Sequence, residues 1–533
     1  MKKIYFLLFF AWCDSAYNNV LFCEKVYPMH LIHYNDFHAR FEETSDDSLI
    51  CDHKEDKCFG GLPRLVYEIE TIRREHPESL LLDAGDSFQG TYWYTLLKWN
   101  ATQYFLNLLN NDAHAIGNHE FDDDIDGLAP YLANLKAPVL AANLDSSEEP
   151  RLQGLYKPYT IVTRNDRKIG IIGVTTTVTQ DLAPIGKVKF TDPREVALTE
   201  SRKLYDMGVD IIILLSHCGY QLDIEIAQDY GQYIDIIVGG HSHRDKTIVF
   251  PYLTSVESNG EGNHEVIVLQ TDAFTKFLGN ISINFDCNGD VMNWSGGPIA
   301  LDNSIPEDEN TKNELEPYAK IVHEAAAQVI GFIDKRMHHK DCVHGECLMG
   351  NFLTDAMKYT AQSKIKSRHP FIAIIQRSNM RAIIPAGALT EGSVVELFPY
   401  FDLLKSFELQ GKYIVEALER SASDLMKGKT FTGPWLLQVS GLQVTYNISR
   451  PVGHRVESVF VTNKSSKLPL NRERTYQVVS PIYLATGGDG YKMIGDNLKN
   501  LQDIGFDQHG LKDYINEYKS FHVNIEGRII VKS

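Results

Sequence analysis

Five short strings carry side chains suited to holding divalent cations: Asp36-Phe37-His38, Gly85-Asp86, Gly117-Asn118-His119-Glu120, Ser216-His217 and Gly240-His241-Ser242-His243. A carboxylate has two oxygens and can touch two ions at once, which makes Asp86 the natural bridge. Asp36, His38 and His243 would complete one site, and Asn118, His217 and His241 the other. Such mixed nitrogen and oxygen donors suit zinc or manganese, and the carboxylates also admit magnesium or calcium. Two ions about 3.5–4 Å apart clamp a phosphoryl group and acidify a water, so the chemistry expected is in-line phosphoester hydrolysis. His119 directly follows Asn118 and is expected to steady the charge on the phosphoryl oxygens or to protonate the leaving oxygen. Asp122 is close enough along the chain to orient that imidazole and raise its pKa. A lone histidine at a strand end is more often structural, and His33, His53, His76, His338 and His339 are read as surface or packing residues.

Each string ends an apolar run that reads as a buried strand, such as Ile211–Leu215 before His217 and Ile234–Val238 before His241. Side chains just past the carboxyl ends of such strands gather at one sheet edge. Further strands are expected at Met29–Tyr34, Leu80–Asp83, Ala137–Ala141 and Lys168–Val174, and helices at Pro63–Arg74, Thr91–Leu109 and Glu195–Met207. This half therefore reads as α/β. Residues 304–331 carry charge at helical spacing and are expected to form a stiff linking helix, the alternative being a core helix of one half. Beyond it, helices Met349–Thr360 and Gly411–Ser423 mix with strands Phe371–Ile375 and Thr475–Ser480. The expected division is a leader over 1–23, a first domain over 24–303, the linker over 304–331 and a second domain over 332–533.

The chain has 533 residues, 43% of them apolar and 23% charged, so two or more soluble globular units are expected. A net charge of −18 argues against nucleic acid as a partner, because no basic face is left to neutralise phosphates. A phosphate-bearing substrate must then be drawn in locally, by metal ions and selected arginines. Lys2 and Lys3 precede the apolar stretch Ile4–Trp12, the pattern of a secretory signal too short to span a bilayer. No later run reaches membrane-spanning length and no hydrophobic tail directs a lipid anchor, so a secreted protein without stable membrane insertion is expected. Cys51 with Cys58 and Cys342 with Cys347 bracket polar loops and are expected to form two local disulfides, leaving Cys218 and Cys287 as buried free thiols. Sequons at Asn100, Asn280, Asn293, Asn447 and Asn463 are expected on the surface as glycosylation sites.

The metal-binding strings resemble those of the calcineurin-like metallophosphoesterases. The chain after the leader resembles the two-domain 5′-nucleotidase family, to which ecto-5′-nucleotidases and the apyrases of blood-feeding arthropod saliva belong. Leu484-Ala485-Thr486-Gly487-Gly488-Asp489-Gly490-Tyr491 is similar to the family's nucleoside-binding loop, and Phe371–Ile375 leading to Met380-Arg381 to its strand before a phosphate-binding arginine. The resemblance implies a metallophosphoesterase β-sandwich flanked by helices, a linking helix and a second α+β domain that binds the nucleoside. It assigns the metal ligands as above, Arg381 to phosphate, Tyr483 to the base and Asp489 to the sugar. It further implies hydrolysis of extracellular ATP and ADP, extending to AMP, and opposition to ADP-driven platelet aggregation in a host. A low-turnover nucleotide- or receptor-binding protein of the same fold is the alternative. Three places depart from the family pattern: the second base-stacking aromatic falls on Leu404, an arginine falls on Val343, and the residues before Arg381 read Gln376-Arg377-Ser378-Asn379. Loss of one stacking ring would weaken base affinity by about 1–3 kcal/mol.

Overall fold

A computed structural model describes residues 26–51, 57–243, 253–259, 265–343, 345–380, 382–425, 436–463 and 466–532. Two six-stranded mixed sheets make up its first half. One runs in the order Val291–Ala300, Phe277–Phe285, Tyr27–Tyr34, Leu80–Asp83, Ala113–Ala115, Val139–Leu140. The other runs Leu253–Glu257, Glu265–Leu269, Ile236–Gly239, Ile211–His217, Arg167–Thr175, Tyr159–Arg164. The central strands of both pair in parallel. They are covered on both faces, which is why they read as unbroken apolar runs rather than alternating ones. Leu31, Leu80, Leu82, Ile211, Ile213 and Leu215 fill the space between the sheets. Their sequence neighbours Ile32 and Leu81 join the outer cluster that includes Leu65 and Ile69, and Ile212 and Leu214 join the one that includes Ala197 and Leu204.

The expected helices form at Leu62–Glu75, Tyr92–Leu106 and Pro193–Asp206, the second broken at Lys98 by a non-helical backbone. The strand expected at Ala137–Ala141 shrinks to Val139–Leu140 at the sheet edge. Between the halves runs the helix Glu309–Ala326, capped where the Asp308 side chain accepts from the Thr311 N–H. Leu315 and Val322 pack in the first half's core, while its end leads into the second half. There a five-stranded sheet, ordered Leu437–Ser440, Phe371–Gln376, Thr475–Pro481, Leu403–Gln410, Lys499–Phe506, is packed by helices Leu348–Lys364, Gly411–Ser421 and Asp507–Tyr518.

Cys51–Cys58 and Cys342–Cys347 are disulfide-bonded, as the spacing predicts. Cys218 is a buried free thiol, but Cys287 is not: it is disulfide-bonded, with its partner outside the described residues. Local spacing gives no sign of a bridge at Cys287. Asn100, Asn293 and Asn463 are exposed, whereas Asn280 is half-buried and accepts from His30 Nε2 at 2.5 Å. His53 lies outside the described residues.

Candidate metal centre and nucleotide site

Parallel strands bring their carboxyl ends to one edge, and the loops that follow Tyr34, Asp83, Ala115, His217 and Gly239 converge there. The backbone is strained at this edge. Asp36, His38, Asp86, His241 and His243 all have positive φ, between 36° and 76°, a region that side chains other than glycine occupy at a cost on the order of 1 kcal/mol each. That strain aims side chains from separate loops into a shared space. Gly117 is part of the same device, since a Cβ there would lie 2.1 Å from Asp86 Oδ1.

Asp36, His38, Asp86 and His243 form one group whose donor atoms all lie within 4.8 Å of one another, and Asp86, His217 and His241 form a second. Asp86 belongs to both. His217 Nε2 is 3.0 Å from Asp86 Oδ2, and His243 Nε2 is 2.8 Å from Asp36 Oδ1. His38 Nδ1 donates to the Phe88 carbonyl at 2.8 Å and His217 Nδ1 to the Ala84 carbonyl at 2.7 Å, so each presents an Nε2 lone pair to the centre. His38 Nε2 then meets His243 Nε2 at 2.8 Å, an approach that a cation between them relieves. Asp36 Oδ1, Asn118 Oδ1 and His217 Nε2 are buried without a hydrogen-bond partner. Orphaned acceptors of this kind are costly unless a cation satisfies them, and their donor types fit a binuclear divalent centre.

His119 lies beside this cluster, its backbone N–H donating to Asp86 Oδ1 at 2.9 Å. Its Nδ1 donates to Asp122 Oδ2 at 2.7 Å, the pairing expected from their spacing. Burial alone would lower the His119 pKa, but the Asp122 and Asp86 carboxylates raise it well above the ordinary value. Burial pushes Asp122 up to about 6 against the pull of His119. The Asp122 pairing therefore orients the imidazole beside the metal ligands.

From the second half, Tyr483 Oη and Asp489 Oδ1 come within 3.3 Å of each other, and Ser378 Oγ donates to Asp489 Oδ2 at 2.9 Å. Arg381 lies outside the described residues. Leu404 is 1% exposed in the sheet, paired with Pro481, and Val343 is buried in the second half's core, so neither faces a ligand. Phe401 stacks on Phe506 with ring centroids 4.2 Å apart. From the second half, the Tyr400 ring stacks on His119 at 5.6 Å with its hydroxyl 3.5 Å from His243 Nδ1, and Phe274 of the first half lies 5.2 Å from the His243 ring. Asp402, two residues after Tyr400, adds its field to His119.

Residues 29–245 match the calcineurin-like phosphoesterases and residues 329–496 the 5′-nucleotidase C-terminal domain. An apyrase of Tabanus yao is 34% identical, covering 95% of this chain and 94% of its own length. The chain belongs to the 5′-nucleotidase family. The 5′-nucleotidase of Bos taurus is 33% identical over 95% of this chain and 91% of its own. The crystal structure of a 5′-nucleotidase precursor from Thermus thermophilus superposes with a TM-score of 0.75 at 33% identity, covering 95% of this chain and 100% of that one. As a member of this family the protein is a phosphoester hydrolase acting on nucleotides.

Two residues of this 5′-nucleotidase family site had no assigned role from sequence. Glu120 closes the third metal-binding string and accepts the backbone N–H groups of Gly117 and Asp86, at 2.7 and 3.1 Å, tying two ligand loops together. Its position in the string was the available signal. Tyr400 sits in Phe398-Pro399-Tyr400-Phe401, an aromatic cluster just before a strand, and the Gly90 N–H donates across the domains to the Pro399 carbonyl at 3.1 Å.

Proposed function

We propose that the chain is a secreted, divalent-metal-dependent nucleotide phosphohydrolase of apyrase or 5′-nucleotidase type, releasing phosphate from extracellular ATP and ADP and extending to AMP. The observation that carries this reading is the convergence of the Asp36, His38, His217, His241 and His243 donor atoms around a shared Asp86. Asp36, His38, Asp86 and His243 would hold one divalent ion, and Asp86, Asn118, His217 and His241 the other. Bound there, two such ions supply Lewis-acid polarisation of the phosphoryl oxygens and an acidified water.

The chain's own residues do the rest. His119, protonated and fixed by Asp122, donates to the phosphoryl oxygens as charge builds and holds the proton the leaving oxygen needs. Tyr400 closes over His119 and screens the centre from solvent on the side of the second domain. Tyr483 stacks on the base and Asp489, steadied by Ser378, bonds the sugar. Arg381 takes a phosphate. Secretion is supported by the leader-like N-terminus and by two disulfides, and among the described residues no helix is long and apolar enough to cross a membrane. Opposition to ADP-driven platelet aggregation follows if ADP is consumed outside the cell, and the relative from Tabanus yao is an apyrase by name.

The test is phosphate release from ATP, ADP, AMP and a sugar nucleotide, each with and without EDTA. EDTA-sensitive release from ATP and ADP is expected. Release from AMP alone would make the protein a strict 5′-nucleotidase, and no sensitive release from any of them would overturn the enzymatic reading.

A further inference from the structure

Beside the metal centre, on the far side of Tyr400, lies a cavity of about 870 Å³ between the two domains and the helix that joins them. This is the size of sites that take a small organic molecule. Its walls are unlike those of a phosphate site. Six carboxylates line it against two fixed cations, Arg40 and Lys312, and aromatic rings from Phe41, Trp93 and Phe274 form one side.

Three of the six, Glu42, Glu43 and Glu307, have partners, and Glu309 and Glu316 are exposed to solvent. Glu42 accepts from Trp93 Nε1 at 2.7 Å and from His323 Nε2 at 3.0 Å, and Glu43 pairs with Arg64. Arg40 is committed too: its guanidinium lies 4.8 Å over the Phe274 ring and donates to the Ser48 carbonyl at 3.3 Å. Glu396, on the second domain's helix Glu391–Leu397, is different. It lines the cavity but makes no hydrogen bond or ion pair among the described residues, and burial pushes its carboxyl up to about 7 against the pull of Arg40. A half-buried carboxyl without a hydrogen-bond partner is a cost that a bound cation removes. Aromatic faces attract the same kind of group, as the Arg40–Phe274 stack illustrates within this wall.

We propose that this cavity binds a small protonated amine carried on an aromatic body, the ammonium against Glu396 and the ring against the aromatic wall. The site is separate from the metal ligands and from the nucleotide-binding pair Tyr483 and Asp489. Its walls come from both domains, with Trp93 and Phe274 from the first, Glu396 and Val395 from the second, and Val322 from the joining helix. An occupant therefore also favours this arrangement of the two domains over one in which they part.

Tryptamine serves as the probe and indole-3-acetate as its anionic counterpart, titrated calorimetrically into the full-length protein in EDTA, which keeps the metal centre out of the readout. Tryptamine is expected to bind one to one and to raise the melting temperature, and indole-3-acetate to do neither. Glu396→Gln should weaken tryptamine binding by about tenfold or more, the range for a charge-assisted bond. Its metal-loaded phosphate release should stay within about twofold of the parent, which also reports that it folds. Ala326→Phe, which fills the cavity from the joining helix, should abolish binding by sterics alone. Equal binding of the two indoles, or unchanged tryptamine binding by Glu396→Gln, would overturn the proposal. Neither result bears on whether the protein hydrolyses nucleotides, which phosphate release decides separately.

Discussion

The Tyr400 ring of the second domain stacks on the His119 imidazole of the first, centroids 5.6 Å apart and planes 25° from parallel. The two residues are far apart in the chain, and their contact sets a second-domain aromatic directly over the residue read as the proton donor. Replacing Tyr400 should therefore change how nucleotide is held rather than how metal is held. Tyr400→Ala is expected to raise KM for ADP by up to about tenfold, the most that loss of an aromatic pair worth about 0.5–1.5 kcal/mol gives, while Tyr400→Phe, which keeps the ring over His119, stays near the parent. Steady-state kinetics on ADP check this. A KM that does not move would reduce the contact to packing.

His119→Ala should lower kcat by about 10²–10⁴-fold, the usual worth of a positioned acid or base, with metal content unchanged. Asp86→Ala should lose both activity and bound metal, because Asp86 belongs to both donor groups. Metal analysis of the purified proteins separates the two variants. Metal loss in His119→Ala would make that imidazole a ligand instead.

Gly117 admits no side chain without moving Asp86, since its Cβ would sit 2.1 Å from Asp86 Oδ1 and 2.4 Å from the Asp86 nitrogen. Gly117→Ala is expected to weaken metal binding by about tenfold or more, as displaced supporting groups do elsewhere. Far-UV circular dichroism should be unchanged. A metal titration against the parent protein is the measurement.

His33 is buried at 3% exposure, its Nδ1 has no hydrogen-bond partner, and burial lowers its pKa to about 4. The unfolded chain takes up a proton near pH 6.5 that the native state refuses until about pH 4. The native state is thus favoured in full above pH 6.5, and stability falls as pH drops through that window, by about 1.4 kcal/mol per unit from this group. His33→Gln should flatten the slope of unfolding free energy between pH 6.5 and 4, whatever it does to the value at pH 7. Urea melts across that range test it, and an unchanged slope would place the native protonation elsewhere.

The metal-binding strings were legible because each ligand sits within a few residues of a strand end, and parallel strands covered on both faces announce themselves as apolar runs. Asp36, Asp86 and His217 needed no knowledge of the rest of the chain to be found. The nucleotide side was harder to read. Leu404 and Val343, where the family pattern is counted to place an aromatic and an arginine, are buried in the core, and the second-half ring that stacks on His119 is Tyr400. Strand register decides which of several adjacent residues faces out, and a shift of one residue reverses the answer. Nothing in the spacing around Cys287 marks it as disulfide-bonded.

By itself, then, the sequence determined the chemistry of the five strings and the order in which strands deliver them to one edge, since both depend on local pattern and on handedness rules that any such sheet obeys. Only the tertiary structure decided how those loops are strained so that Asp36, His38 and His243 share one space. It alone set Tyr400 over His119 and left Glu396 facing a cavity between domains. These relations arise between segments distant in the chain, and such contacts leave no periodicity in the residues that make them.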